Sequence, residues 1–144
     1  MGNVTIREAT AEDAAPVSRL LAQLGYPAPQ RAVAARIEAH TRSDADLLLV
    51  ADVDGEAVGL AVLHVSLALE YDGDAGKLSA IVVDERHRRR RVGEALVEAI
   101  EAEARARGCV LLFLTTAEHR AGAHAFYRRL GFDETGRRFA KRLT

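Results

Sequence analysis

The chain is 144 residues long, 49% apolar and 28% charged, with only 5% aromatic residues. These proportions describe one globular domain over residues 1–144, large enough to form a core without metal or disulfide staples. The single cysteine, Cys109, excludes an intrachain disulfide and fits a cytoplasmic location, and a net charge of −1 supplies no global field for nucleic acid or an anionic membrane.

Residues 1–20 carry Arg7, Glu8, Glu12, Asp13 and Arg19, which is not the pattern of a signal peptide. The longest apolar runs, such as Leu47 to Ala51 and Cys109 to Leu114, fall far short of the roughly 20 residues of a membrane span. Val4, Ile6 and Ala9 read as a short strand. Thr10 with Asp13 then resembles a capping box, opening a helix whose apolar series is Val17, Leu20, Leu21 and Leu24, with a stop at Gly25. Beyond Pro27 and Pro29, Ala32, Ala35, Ile37 and Ala39 suggest a second helix ending before Ser43.

Leu47 to Ala51 and Ala57 to Ser66 are β-prone runs around Asp54-Gly55, a strong hairpin signal, and should pair antiparallel. The polar segment Glu70 to Gly76 breaks the pattern before a third run, Leu78 to Val83. Gly93 to Arg107 is amphipathic at helical spacing and closed by Gly108. Cys109 to Thr115 is almost unbroken apolar sequence, which implies a central strand covered on both faces. Ala121 to Leu130 reads as a helix ended by Gly131, and Phe132 to Leu143 as a last strand or hairpin. The order β α α β β β α β α β is that of a mixed α/β or α+β domain.

The segment Ile81 to Leu96 is a strand, a tight loop and a helix start, and five arginines crowd into Arg86 to Arg91. A helix start carries about half a positive charge and unpaired N–H groups, so cations there are unfavourable unless an anion joins them. A phosphate or pyrophosphate satisfies the amides, the dipole and the guanidinium groups together. The alternative is a solvated basic loop balanced by Asp84, Glu85 and Glu94. A nucleic-acid patch suits neither the overall charge nor the scarcity of aromatic residues. The loop lacks the Gly-Lys-Ser/Thr ending of a Walker motif and is not a GxGxxG.

This strand–loop–helix resembles that of the GNAT superfamily of acyl-CoA-dependent N-acetyltransferases, with Arg88-Arg89-Arg90-Arg91-Val92-Gly93 in the slot of Arg/Gln-x-x-Gly-x-Gly/Ala. Ala123 to Phe132, containing Phe126-Tyr127 and Gly131-Phe132, resembles the family's helix with an aromatic-Tyr pair followed by Gly-Phe. The likeness covers nearly the whole chain in element order. It implies a central, mixed, mostly antiparallel sheet of about six or seven strands flanked by about four helices. One departure is Arg91 in the place of the first loop glycine, where a non-glycine conformation with an outward side chain, and weaker binding of acetyl-CoA, are expected.

The resemblance further implies that acetyl-CoA is the acetyl donor, with no metal. Its pantetheine would lie between two splayed strands against the backbone of Ile81, Val82 and Val83, and its pyrophosphate against Arg88, Arg89, Arg90, Arg91, Val92, Gly93 and Glu94. Arg120, where relatives often have Asn, reads as a further cofactor contact. Tyr127 falls at the family's general-acid position. A phenol of pKa about 10 can protonate a departing thiolate whose acid lies near 8.5. The other reading of Tyr127 is a half-buried residue packing beside Phe126.

No general base is evident, because the strands Leu78 to Val83 and Cys109 to Thr115 contain no carboxylate. Glu70 and Asp72, with Asp74, could bind a cationic substrate or relay its proton, and Glu118 and His119 are further candidates. His119 and His124 cannot share a metal from one helical face. Cys109 reads as a small buried hydrophobe. The expected activity is acetyl transfer from acetyl-CoA to a primary amine, on a small molecule or a peptide, by direct attack. The alternative is a non-catalytic acyl-CoA-binding or regulatory module of the same fold. No nucleic acid or membrane partner is expected, and the resemblance leaves a homodimer open.

Overall fold

A two-residue hairpin turn that matches the twist of its strands needs positive φ at both central positions, a demand that Asp and Gly meet at least cost. In the computed structural model, which describes residues 3–88, 91–116 and 121–144, Asp54 and Gly55 have φ of 53° and 88°. They join β2 (Asp46–Val53) to β3 (Glu56–Ser66). β1 (Val4–Glu8) pairs antiparallel with β2, and β4 (Asp74–Val83) antiparallel with β3. β5 (Cys109–Phe113) runs parallel to β4, and α3 (Val92–Ala106) supplies the crossover that a parallel pair requires. The sheet order is β1-β2-β3-β4-β5, mixed and mostly antiparallel as expected.

Among the described residues the sheet has five strands, fewer than the six or seven expected. Residues 132–144 form no strand, and Phe139 and Leu143 are 94% and 90% exposed. Arg137, Arg138, Lys141 and Arg142 leave this tail few apolar side chains with which to cover a neighbouring strand. β5 is not central either. It is paired only with β4 among the described strands, and Val110, Leu111 and Phe113 are exposed. Its apolar run covers one face only, through Leu112, which packs toward α3 together with Leu114 just beyond the strand. β4 begins earlier than the sequence suggests, because Gly76 is a close-packed strand residue: a Cβ there would stand 3.2 Å from both Cys109 Sγ and Leu63 Cδ1.

The strand period of two sends alternate side chains to two cores. On one face, Val17 and Leu20 of α1 (Ala14–Leu24) and Val33 and Ile37 of α2 (Gln30–Thr41) pack on Leu48, Val50, Leu60, Val62 and Val82. On the other, Val92, Leu96, Val97 and Ile100 of α3 pack on Leu47, Leu49, Ala61, Leu63 and Leu78, and α4 (Ala121–Arg129) adds Phe126 and Tyr127. Besides a shift in the β4–β5 ladder between Asp74 and Ala75, one-residue bulges in the β2–β3 and β3–β4 ladders adjust the alternation. Val58 is extra in β3, since Asp52 opposes Ala57 while Ala51 opposes Gly59. Ser79 is extra in β4, since Val62 opposes Ala80 while Leu63 opposes Leu78. No helix among the described residues is long and apolar enough to cross a membrane.

Candidate active site

The β4–β5 ladder is short. It runs from Asp74 opposite Cys109 to Lys77 opposite Phe113 and stops there. Leu78–Val83 continues along β3 with its other edge unpaired among the described strands. With β5 ended at Phe113, this edge opens a wedge whose β4 side is backbone N–H and C=O groups without ladder partners among the described strands, in reach of an amide-containing ligand. The bulge at Ser79 sits at the start of the wedge and turns an exposed side chain outward. Ile81, Val82 and Val83, the residues expected to face a pantetheine arm, form the β4 wall.

At the open end of the wedge the chain turns through Asp84 into a short 3-10 turn, Glu85–His87. Asp84 is buried and holds that turn, accepting from the Arg86 amide at 2.9 Å and from Arg86 Nη2 at 3.2 Å. The Arg86 guanidinium keeps the Asp84 carboxyl below its ordinary range, against the opposing push of burial. Arg88 Nε donates to the carbonyl of Val83 at 3.2 Å, tying the loop back to the end of β4.

α3 then starts at Val92, directly after Arg91, whose φ of 60° and ψ of 20° are left-handed. The expectation of a non-glycine conformation is therefore corrected. Arg91 adopts the backbone that glycine favours, and its side chain is exposed as expected. Among the described residues no side chain caps the helix start, which leaves the amides of Val92, Gly93 and Glu94 as donors for an incoming anion. A Cβ on Gly93 would meet Phe126 Cζ at 3.4 Å, an ordinary contact, so protein packing alone does not require glycine there.

Tyr127 is half buried on α4, on the α3 side of the sheet. Its ring meets those of Phe126 and Phe132 edge-on, at centroid distances of 5.2 Å and 5.8 Å. Arg129 lies over Phe126 at 5.5 Å. These contacts fix the phenol against the helix face. Glu70 and Asp72 are exposed in the β3–β4 loop, at the closed end of the strand pair and away from the α3 N-terminus. Arg89, Arg90 and Arg120 of the expected cofactor contacts, with Glu118 and His119, lie outside the described residues. Cys109 is a half-buried thiol whose pKa burial pushes up.

Sequence reasoning missed the pair Asp46 and His64. His64 Nδ1 lies 2.8 Å from Asp46 Oδ1, and Ser43 Oγ donates to Asp46 Oδ2 at 2.7 Å. Burial pushes the Asp46 carboxyl up, but these hydrogen bonds outweigh it and leave the group below its ordinary range.

An unpaired β4 edge leading toward uncapped helix amides, with Arg88 and Arg91 beside them, has the chemistry to take an amide-containing, phosphorylated ligand. In agreement, residues 13–132 match the model of the acetyltransferase (GNAT) family. Aminoalkylphosphonate N-acetyltransferase of Salmonella typhimurium is 32% identical over 146 aligned positions, covering 96% of this chain and 90% of that protein. IAA acetyltransferase of Azospirillum brasilense is 34% identical, covering 94% of this chain and 88% of that protein. A transcriptional regulator from Bacillus halodurans superposes with a TM-score of 0.91 at 25% identity, covering 98% of this chain and 100% of that one. An aminoglycoside N-acetyltransferase in complex with CoA shares the fold, with a TM-score of 0.86 at 24% identity, covering 99% of this chain and 95% of that one. The chain belongs to the GNAT family and is an acyl-CoA-dependent acetyltransferase, whose acetyl donor is acetyl-CoA.

Proposed function

We propose that the protein transfers acetyl from acetyl-CoA to a primary amine on a small molecule by direct attack, with Tyr127 as general acid. The observation that carries this reading is the early end of the β4–β5 ladder at Lys77 and Phe113, which leaves the Leu78–Val83 edge of β4 without a ladder partner among the described strands on the way to the α3 start. In this reading Ile81, Val82 and Val83 hold the pantetheine through their backbone. Arg88, Arg91 and the amides of Val92, Gly93 and Glu94 hold the pyrophosphate, with Arg89, Arg90 and Arg120 as further cationic contacts. The arginine run is thereby balanced by ligand charge rather than by solvent alone.

The reaction joins the amine nitrogen to the thioester carbon and then breaks the C–S bond. The departing sulfur takes the proton of the Tyr127 hydroxyl, which stands on the α3 side of the sheet, and Tyr127 regains a proton through solvent. A small amine acceptor follows the curated relative that acts on aminoalkylphosphonates by its name. Glu70 and Asp72, at the closed end of the strand pair, would meet a cationic extension of the acceptor beyond the reacting nitrogen. The test is release of CoA thiol, read with a disulfide reagent, from acetyl-CoA and a panel comprising 2-aminoethylphosphonate, tyramine, spermidine and a short peptide. Amine-dependent thiol release supports the reading; binding of acetyl-CoA with no release for any amine refutes it.

A further inference from the structure

An acceptor amine with a pKa near that of lysine, about 10, arrives protonated at neutral pH and cannot attack until it loses a proton. Leu78–Val83 of β4 and Cys109–Phe113 of β5 contain no carboxylate to do this. The neighbouring strand, however, carries a histidine at the level where the wedge begins. Ladder partners put Asp46, His64, Lys77 and Phe113 in one row across β2, β3, β4 and β5. Lys77 and Phe113 are the last pair of their ladder, so His64 is one strand spacing, about 4.8 Å, from the strand whose edge is left open beyond it.

The row lies on one face. Gly76 and Leu112, the neighbours of Lys77 and Phe113, face α3, which puts Lys77, Phe113 and His64 on the opposite face. There α1 and α2 cover Leu48, Val50, Leu60, Val62 and Val82 but leave His64 and Phe113 exposed. Tyr127 is on the α3 side. A thioester held between β4 and β5 is thus open on two faces: one has the phenol and the other has the imidazole.

Resting on the acetyl-transfer reading above, we propose that His64 is the general base for the acceptor amine and that Asp46 is its positioning residue. The Asp46 carboxylate, held by Ser43, accepts from Nδ1–H at 2.8 Å and so selects the tautomer with its lone pair on Nε2, which has no hydrogen-bond partner among the described residues. The ammonium gives one proton to Nε2, and His64 passes it to solvent. The free amine then forms the C–N bond, the C–S bond breaks, and the second proton leaving nitrogen replaces, through solvent, the one that sulfur takes from Tyr127. The products are amide, CoA thiol and one proton. The charged and titratable groups facing His64 are Asp46 from β2 and Lys77 from β4, with His40 of α2 beside Asp46.

The experiment compares wild type, His64→Gln, His64→Gly and Asp46→Asn with whichever amine of the panel wild type acetylates best. His64→Gln is expected to lower kcat/KM at pH 7 by about 100-fold, with calorimetric Kd for acetyl-CoA within about twofold, and the deficit should narrow toward the amine's own pKa. Added imidazole should restore rate to His64→Gly. Asp46→Asn should lower kcat while leaving the KM for the amine within about twofold, because the imidazole loses the acceptor that orients it. A His64→Gln rate within about threefold of wild type at pH 7 overturns the assignment, and so does a loss that is constant with pH and not recovered by imidazole. Either result leaves the acetyltransferase reading standing, whereas no thiol release by wild type with any amine refutes both.

Discussion

Arg88 reaches back to Val83: its Nε donates to the Val83 carbonyl at 3.2 Å, across the corner between β4 and α3. This bond spends one of five guanidinium donors on the protein and pre-orients the fork for a phosphate. Arg88→Ala is expected to weaken acetyl-CoA binding about tenfold, measured by calorimetry, with kcat at saturating donor nearly unchanged. A larger effect on kcat than on Kd would place Arg88 at the reacting end instead.

Arg91 holds a left-handed backbone that costs a side-chain-bearing residue about 1 kcal/mol relative to glycine. Arg91→Gly should therefore be more stable than Arg91→Ala by about that amount in urea unfolding, although both remove the same charge. Equal stabilities would show that the corner relaxes out of the left-handed region in the alanine variant.

Tyr127→Phe keeps the edge-on contacts with Phe126 and Phe132 and removes only the hydroxyl. The expected outcome is a fall in kcat of about 100-fold with little change in acetyl-CoA affinity. Unchanged turnover would leave Tyr127 a packing residue.

Gly59 sets how closely α3 lies on β3. A Cβ there would stand 3.0 Å from Leu96 Cδ1 and 3.1 Å from Val92 Cγ1, both fully buried side chains. Gly59→Ala should cost about 1–3 kcal/mol in urea unfolding and, by lifting the start of α3, should also weaken acetyl-CoA binding. A neutral substitution would mean that the helix rides up without strain.

Asp13 is buried and held by two bonds from Arg7, at 2.8 Å and 2.9 Å, which keep its carboxyl below the ordinary range despite burial. A carboxyl depressed by folding stabilises the protein above its unfolded pKa of about 3.9, and that contribution fades as pH falls through the lower folded value. Arg7→Met should therefore destabilise most at neutral pH, and its difference from wild type should shrink below about pH 4 in urea titrations. A difference that does not vary with pH would remove the ion pair as its cause.

The local signals in the chain were reliable guides wherever a short-range rule decided the outcome. Asp54-Gly55 turned as a hairpin, and the amphipathic run to Gly108 became α3. Signals that depend on distant partners were not. The apolar run Cys109–Phe113 has the composition of a central strand, but the missing neighbour beyond it is a property of the tail, whose basic residues keep it from covering the edge. The corner where β4 leads into α3 was legible because strand, arginine run and helix adjoin in sequence. The Asp46–His64 pair was not, because counting outward from the Asp54-Gly55 turn sets His64 opposite Ala45. Only the extra residue Val58 advances the register to Asp46, and a shift of one exchanges the two faces of the strand.

The left-handed corner at Arg91 makes electrical tuning of the proposed donor cradle independent of its shape. Asparagine and aspartate also tolerate these dihedrals, so the charge there can be set to positive, neutral or negative along one unchanged main-chain path. A glycine would keep the path and forfeit that adjustment.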